Sequence, residues 1–253
     1  MIPIRVMPVL LIEEGRLVKG EQFTNHRYVG DPMNAIRIYS AKEVDELILL
    51  DIGATRKKSL ISIDFVRKVS SECLMPFTVG GGICNEEQVK QLLAAGAEKA
   101  ALGAAAVEKP GLIRRLADSF GSQSIVVSID VRKSKAGHDE VLIRSGTKVI
   151  DKDPVSLAQD VEKQGAGEIL LNSIDRDGTQ MGYDLERIRK VADAVNIPVI
   201  ALGGAGKNSD LRSAVVEGRA SAVAAGSFFV FHGQRRAVLI NFPTRQELNE
   251  LFA

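Results

Sequence analysis

The stretch DELILLDIGA, Asp45–Ala54, recurs in altered form as GEILLNSIDRDG, Gly167–Gly178. Two further pairs follow in the same order. PFTVGGG (Pro76–Gly82) answers to PVIALGGAG (Pro198–Gly206), and GAEKAALGAAAV (Gly96–Val107) to GRASAVAAGSFF (Gly218–Phe229). The offset is about 120 residues each time, roughly half the chain, which means two similar halves and predicts duplicated ligand sites related by a twofold axis.

Working outward, apolar runs rich in Val, Ile and Leu recur about every 30 residues, as buried parallel strands do, with helically spaced segments between them. They are Ile4–Ile12, Glu46–Ile52, Met75–Gly80, Lys99–Gly103, Ser124–Asp130, Gly167–Ile174, Ile197–Gly203 and Ser221–Ala225. Eight βα units in 253 residues is the arithmetic of an α/β fold of the closed (βα)8 TIM-barrel type. The expectation is one domain over 1–253, built from half-barrels of about residues 1–120 and 121–253. Asn85 before Glu86-Glu87, and Asp153 before Pro154, read as helix N-caps. Two connections break the spacing: Glu13–Asp31 reads as a long polar loop after the first strand, and Lys133–Asp151 as a β-hairpin inserted after the fifth. Both follow strand C-terminal ends, where barrels keep their chemistry.

Composition bounds the function. With 45% hydrophobic and 26% charged residues, the chain is ordinary globular protein and not a disordered, collagen-like or coiled-coil sequence. A formal charge of +1 leaves no whole-molecule field, which argues against a nucleic-acid or anionic-membrane binder. Cys73 and Cys84 match neither a zinc site nor a redox pair and read as reduced, mostly buried thiols. No run approaches the roughly 18 apolar residues of a membrane span. The start, MIPIRVMPVLLIEEG, reads as a first strand and not an export signal, so a cytoplasmic location is expected. His26, His138 and His232 have no metal-ligand spacing and receive no role; no metal or cofactor is expected.

Glycines follow the third strand of each half, Gly80-Gly81-Gly82 and Gly203-Gly204. One strand later come small-residue turns, Gly103-Ala104-Ala105 and Gly226-Ser227. Such backbone can approach an anion closely, and its duplication suggests a substrate with a phosphate at each end; glycine used only for tight turns is the alternative. Asp130, Asp51, Asp175 and Asp177 stand at strand ends, where a carboxylate can serve as general acid or base, although Asp175 and Asp51 can equally form or cap turns. Arg5, Glu46, Lys99 and Glu168 lie near strand beginnings, where spacing alone allows either solvent-facing charges or an inward salt-bridged ring.

The motifs EEGRLVKG (Glu13–Gly20), LLDIGA, PFTVGGGI, GAEKAALGAAAVEKP, FGSQSIVVSID, KQGAGEILLNSIDRDGTQMGYD and PVIALGGAGK cover almost the whole chain. Together they resemble the cyclase subunit (HisF family) of imidazole glycerol phosphate synthase. The resemblance implies a partner, a glutaminase (HisH-like) subunit at the bottom of the barrel. Its ammonia would pass a gate of Arg5, Glu46, Lys99 and Glu168, then travel the axis to a bisphosphorylated nucleotide at the top. It implies Asp130 as one of two catalytic aspartates and Lys19 as a lid residue on the substrate. Gly81, Gly82, Gly103, Asn172, Asp177, Gly178, Gly203, Gly204, Gly226 and Ser227 fall at substrate- or phosphate-binding positions.

The chain departs from that pattern at the top of the barrel. The family's other aspartate ends the first strand in Cys-Leu-Asp-Val, and here the strand reads Val9-Leu10-Leu11-Ile12. Leu11 cannot transfer a proton, and loss of a positioned acid costs about 10²–10⁴ in rate. Gly103-Ala104 replaces the family's Asn-Thr, and Asn172 its Thr. A shifted acid at Glu13 is the one substitute the strand offers, about 6.6 Å further along. These departures, with the ending RRAVLINFPTR (Arg235–Arg245), resemble a divergent branch found with surface-polysaccharide genes, in which the barrel supplies ammonia to a third, sugar-amidating protein. A working histidine-pathway cyclase and a non-catalytic platform for the glutaminase are the alternatives.

Overall fold

The computed structural model describes residues 4–233 and 235–253. The first half runs β1 (Arg5–Glu13), β2 (Arg16–Glu21), β3 (Thr24–Gly30), α1 (Pro32–Ala41), β4 (Leu47–Asp51) and α2 (Ile63–Glu72). It continues through β5 (Phe77–Gly80), α3 (Glu86–Ala94), β6 (Lys99–Leu102), α4 (Ala104–Glu108) and α5 (Leu112–Phe120). The second half begins with β7 (Ile125–Lys133), β8 (Asp139–Ile143), β9 (Lys148–Ile150), α6 (Pro154–Gln164) and β10 (Glu168–Ser173). It proceeds through α7 (Leu185–Ala192), β11 (Val199–Leu202), α8 (Asn208–Val216) and β12 (Ala222–Ala225). Then come α9 (Ser227–Val230), β13 (Phe231–His232), β14 (Ala237–Val238) and α10 (Arg245–Phe252).

Strands β1, β4, β5, β6, β7, β10, β11 and β12 pair in that order, all parallel, and β12 closes onto β1. This is the (βα)8 barrel that the repeat predicts. Six of the expected runs contain one of these strands whole, and β1 and β7 run on past the ends of theirs. The N-caps also form, with the Asn85 side chain accepting from the Gln88 N–H and that of Asp153 from the Ser156 N–H.

Side-chain alternation along the strands divides the apolar residues into two shells. Met7, Val9, Ile48, Ala101, Val126, Leu170, Ile200, Leu202, Ala222 and Ala224 form an inner cluster, and a larger outer one joins strands to helices.

The segment Glu13–Asp31 corrects one expectation. It is not a polar loop: β1 runs past the barrel rim and pairs antiparallel with β2, Leu11 opposite Val18 and Glu13 opposite Arg16, and β2 pairs with β3. The second half repeats the device, since β7 pairs antiparallel with β8, Asp130 opposite Leu142, and β8 with β9. Both long strands therefore carry a hairpin over the barrel mouth. The thiols are a second correction. Cys73 and Cys84 are free but only half-buried, and Cys84 lines the cavity at the mouth.

Candidate functional site

At the end where the strands begin, inward-pointing first residues meet on the axis. Arg5 donates to Glu46 at 2.8 Å and to Glu168 at 2.7 Å, while Lys99 reaches Glu46 at 2.9 Å and Glu168 at 3.2 Å. The four charges thus alternate in a closed ring, with the Thr78 hydroxyl also donating to Glu46 at 2.7 Å. Of the two arrangements that spacing allows, the structure adopts the inward one. The Asp45 side chain accepts from the Val6 N–H and pairs with Arg245, tying α10 to the same end.

Above the ring lies the inner apolar cluster, and above that a cavity of about 790 Å³ opens between the hairpins. Of the residues the resemblance assigns to the top, Leu11, Lys19, Gly81, Gly82, Gly103, Asp130, Asn172, Asp177 and Gly226 line it. Gly178, Gly203, Gly204 and Ser227 do not. Gly178 (φ +73°) lies under the Gly20 carbonyl, Gly204 against the Gly182 carbonyl, Gly203 beside Ser173 and Asn172, and Ser227 is buried. The first-half glycines therefore line the cavity, while in the second half Gly178 is covered by the lid and Gly203 and Gly204 by residues 172–182.

The lid is the β2–β3 hairpin. The Gln22 N–H donates to the Asp177 carbonyl at 2.9 Å, and the Gln22 side chain to the Asp175 carbonyl. Arg236 pairs with Glu21 and donates to the Gly178 carbonyl at 2.8 Å. Lys19, on β2, points inward with its ammonium 2.6 Å from the Val9 carbonyl oxygen, and a Cβ at Gly226 would strike that ammonium. Burial pushes the Lys19 amine down to about 8, opposed by the nearby Asp177 carboxylate.

Asp130 and Asn172 face each other in register across β7 and β10, and the Asn172 amide donates to Asp130 at 3.3 Å. Burial pushes the Asp130 carboxyl up to about 7. The Asn172 and Ser128 hydrogen bonds oppose this, and the neighbouring Asp177 charge reinforces it. Burial likewise raises Asp177 to about 6, against the pull of Lys19. Carboxyls held near neutrality can give or take a proton. Asp51 and Asp175 have structural duties. Asp51 accepts from the Gly53 and Ala54 N–H groups, and Asp175 from the Lys133 N–H. Glu13 is paired with Arg56 and lies outside the cavity lining.

Sequence reading missed several residues that the structure brings to the mouth. Leu50 stands beside Leu11 in register, so the first-half wall is apolar where the second has Asp130 and Asn172. His26, on the lid, reaches the cavity together with Lys58 and Lys109. His26 lies on β3, and its direction follows from the pairing of β3 with β2, which no local pattern announces. Among the described residues no cluster of His, Cys, Asp and Glu could hold a metal ion, and no helix is long and apolar enough to cross a membrane.

With this geometry in view, comparison with known proteins is decisive: residues 5–235 match the family described as "Histidine biosynthesis protein". The chain belongs to that family. It is 48% identical over 245 residues to the "Putative imidazole glycerol phosphate synthase subunit hisF2" of Pseudomonas aeruginosa, covering 97% of this chain and 98% of that protein. It is 43% identical over 232 residues to the "Imidazole glycerol phosphate synthase subunit HisF" of Alkaliphilus metalliredigens, 92% of each. The barrel is thus HisF-like along nearly its full length.

Proposed function

We propose that this HisF-like barrel receives ammonia from a glutaminase subunit docked at the charged ring, conducts it along the axis, and serves nitrogen transfer to a surface-polysaccharide sugar without efficient cyclisation of its own. One observation carries the reading: Leu11, backed by Leu50, occupies the place in the first half that Asp130, backed by Asn172, occupies in the second. The ring and the apolar interior suit passage of a small neutral molecule. In the proposed roles Arg5, Glu46, Lys99 and Glu168 form the gate, and Lys19, Gly81, Gly82, Gly103, Asp130, Asn172 and Asp177 meet the ligand. Glu13, held by Arg56, supplies no substitute acid.

The test is direct. The barrel is mixed with the bisphosphorylated ribulosyl aminoimidazole carboxamide nucleotide and saturating ammonium, and loss of the nucleotide is followed. Little or no turnover is expected, and a rate matching an aspartate-bearing family cyclase would overturn the reading.

Retention of Asp130 favours a second reading, a histidine-pathway cyclase yielding imidazole glycerol phosphate and aminoimidazole carboxamide ribonucleotide, and the same assay decides between them. A pure platform for the glutaminase is distinguished by Lys99→Ala. If product formation driven by glutamine in the full assembly is unaffected, conduction is not the role of the barrel.

A further inference from the structure

We propose that the mouth cavity itself binds a phosphate ester bearing an amine, such as an amino sugar phosphate, with the phosphate on the side of Gly81, Gly82, Gly103 and Lys58 and the ammonium against Asp130 and Asn172. This rests on the reading above that Gly81, Gly82, Gly103, Asp130 and Asn172 meet the ligand and adds the class of that ligand; it does not depend on ammonia delivery.

The amine end rests on acceptors left without donors. Asn172 is 6% exposed and lines the cavity, yet its Oδ1 has no hydrogen-bond partner among the described residues. Such a buried acceptor has lost its water and has nothing in exchange until a donor arrives. Beside it, Asp130 has only the Asn172 amide and the Ser128 hydroxyl as polar partners, and no cation pairs with it among the described residues. The Lys19 ammonium is turned toward Asp177 and the Val9 carbonyl. A primary ammonium brings three donors and one positive charge, which is what this corner lacks.

The opposite side has the reverse character. Arg56 and Arg144 at the rim are occupied by Glu13 and Glu108, whereas Lys58 has no ion-pair partner among the described residues, and Lys109 donates to the Cys84 carbonyl. In the same cavity a Cβ at Gly103 would meet nothing within 4 Å. Bare backbone in a cavity that also holds the free Lys58 ammonium suits a phosphate. Between the two ends the floor is Leu11, Leu50 and Ala101, which can lie against the apolar face of a sugar ring and offers it no hydrogen bond. The volume is that of a small-molecule site.

Calorimetric titration of the intact barrel at neutral pH with glucosamine phosphate, with glucose phosphate carrying its phosphate at the same position, and with inorganic phosphate tests the assignment. The amine should tighten binding about tenfold over the glucose ester, the scale of one charge-assisted hydrogen bond. That advantage should vanish in Asp130→Asn, whose fold is checked by its unfolding midpoint, while Lys58→Ala should weaken all three ligands alike. Equal affinity for the two sugar phosphates, an advantage that persists in Asp130→Asn, or no binding of any of the three would overturn the proposal. None of these outcomes depends on a glutaminase, so failure of ammonia delivery would be seen separately.

Discussion

Leu11 and Asp130 hold matching positions in the two half-barrels. Each sits where a barrel strand rises past the rim into an antiparallel hairpin, Leu11 opposite Val18 and Asp130 opposite Leu142. Each also has one parallel neighbour in register, Leu50 in the first case and Asn172 in the second. The backbone keeps the twofold relation of the halves, and the chemistry abandons it at these four side chains.

Restoring the missing carboxyl should restore proton transfer. In Leu11→Asp, ammonium-dependent loss of the bisphosphorylated nucleotide should rise by about 10²–10⁴ over the unmodified chain. No change would mean that the remaining departures, Gly103 and Asn172 among them, also block cyclisation.

The charged ring should behave as one unit. Lys99→Met leaves Glu46 and Glu168 facing Arg5 alone, in a place where the Glu46 side chain is 3% exposed. Stripping a partner from a buried carboxylate costs about 3–5 kcal/mol, so urea unfolding should show a loss near the lower figure. The more exposed Arg5 should cost less when replaced by Met. Equal and negligible losses would show that solvent already screens the ring.

Asp130 makes a signed pH prediction. Its folded value, about 7, lies above the ordinary carboxylate range. The native chain therefore keeps a proton that the unfolded chain has released, and the barrel loses stability as pH climbs from about 4 to 7. Asp130→Asn removes this loss. Its Tm should exceed the parent's by roughly 8–16 °C at pH 8, for about 4 kcal/mol, and match it near pH 4. A Tm difference independent of pH would count against a buried, protonated carboxyl.

Gly178 should control the lid. Its φ of +73° and the Gly20 carbonyl above it leave no room for a side chain. Gly178→Ala should strain that turn by about 1–3 kcal/mol and lift the hairpin, so limited proteolysis should cut sooner between Glu21 and Thr24. Unchanged cleavage would show the hairpin to be held by Arg236 and Gln22 alone.

The strands were legible because each is an apolar run bounded by turn residues, and the halves because the repeat is explicit in the sequence. The β2–β3 hairpin was not legible. RLVKGE and TNHRYVG are largely polar, and what makes them strands is the extension of β1, which lends them hydrogen bonds that no local pattern announces. The charged ring lay midway. Strand spacing could place Arg5, Glu46, Lys99 and Glu168 at one end, but which way a first-turn side chain points depends on closure of the whole sheet. Covering of Gly178 was beyond sequence altogether, since Gly20 of the lid reaches it from about 160 positions away, across the fold's closure.

Two positive and two negative charges alternating around a ring make an electrical quadrupole. Its field dies away more steeply with distance than that of a lone charge or a dipole, so an ion in the surrounding water feels almost nothing until it touches the opening. The ring therefore neither draws nor repels an ion by its sign from afar.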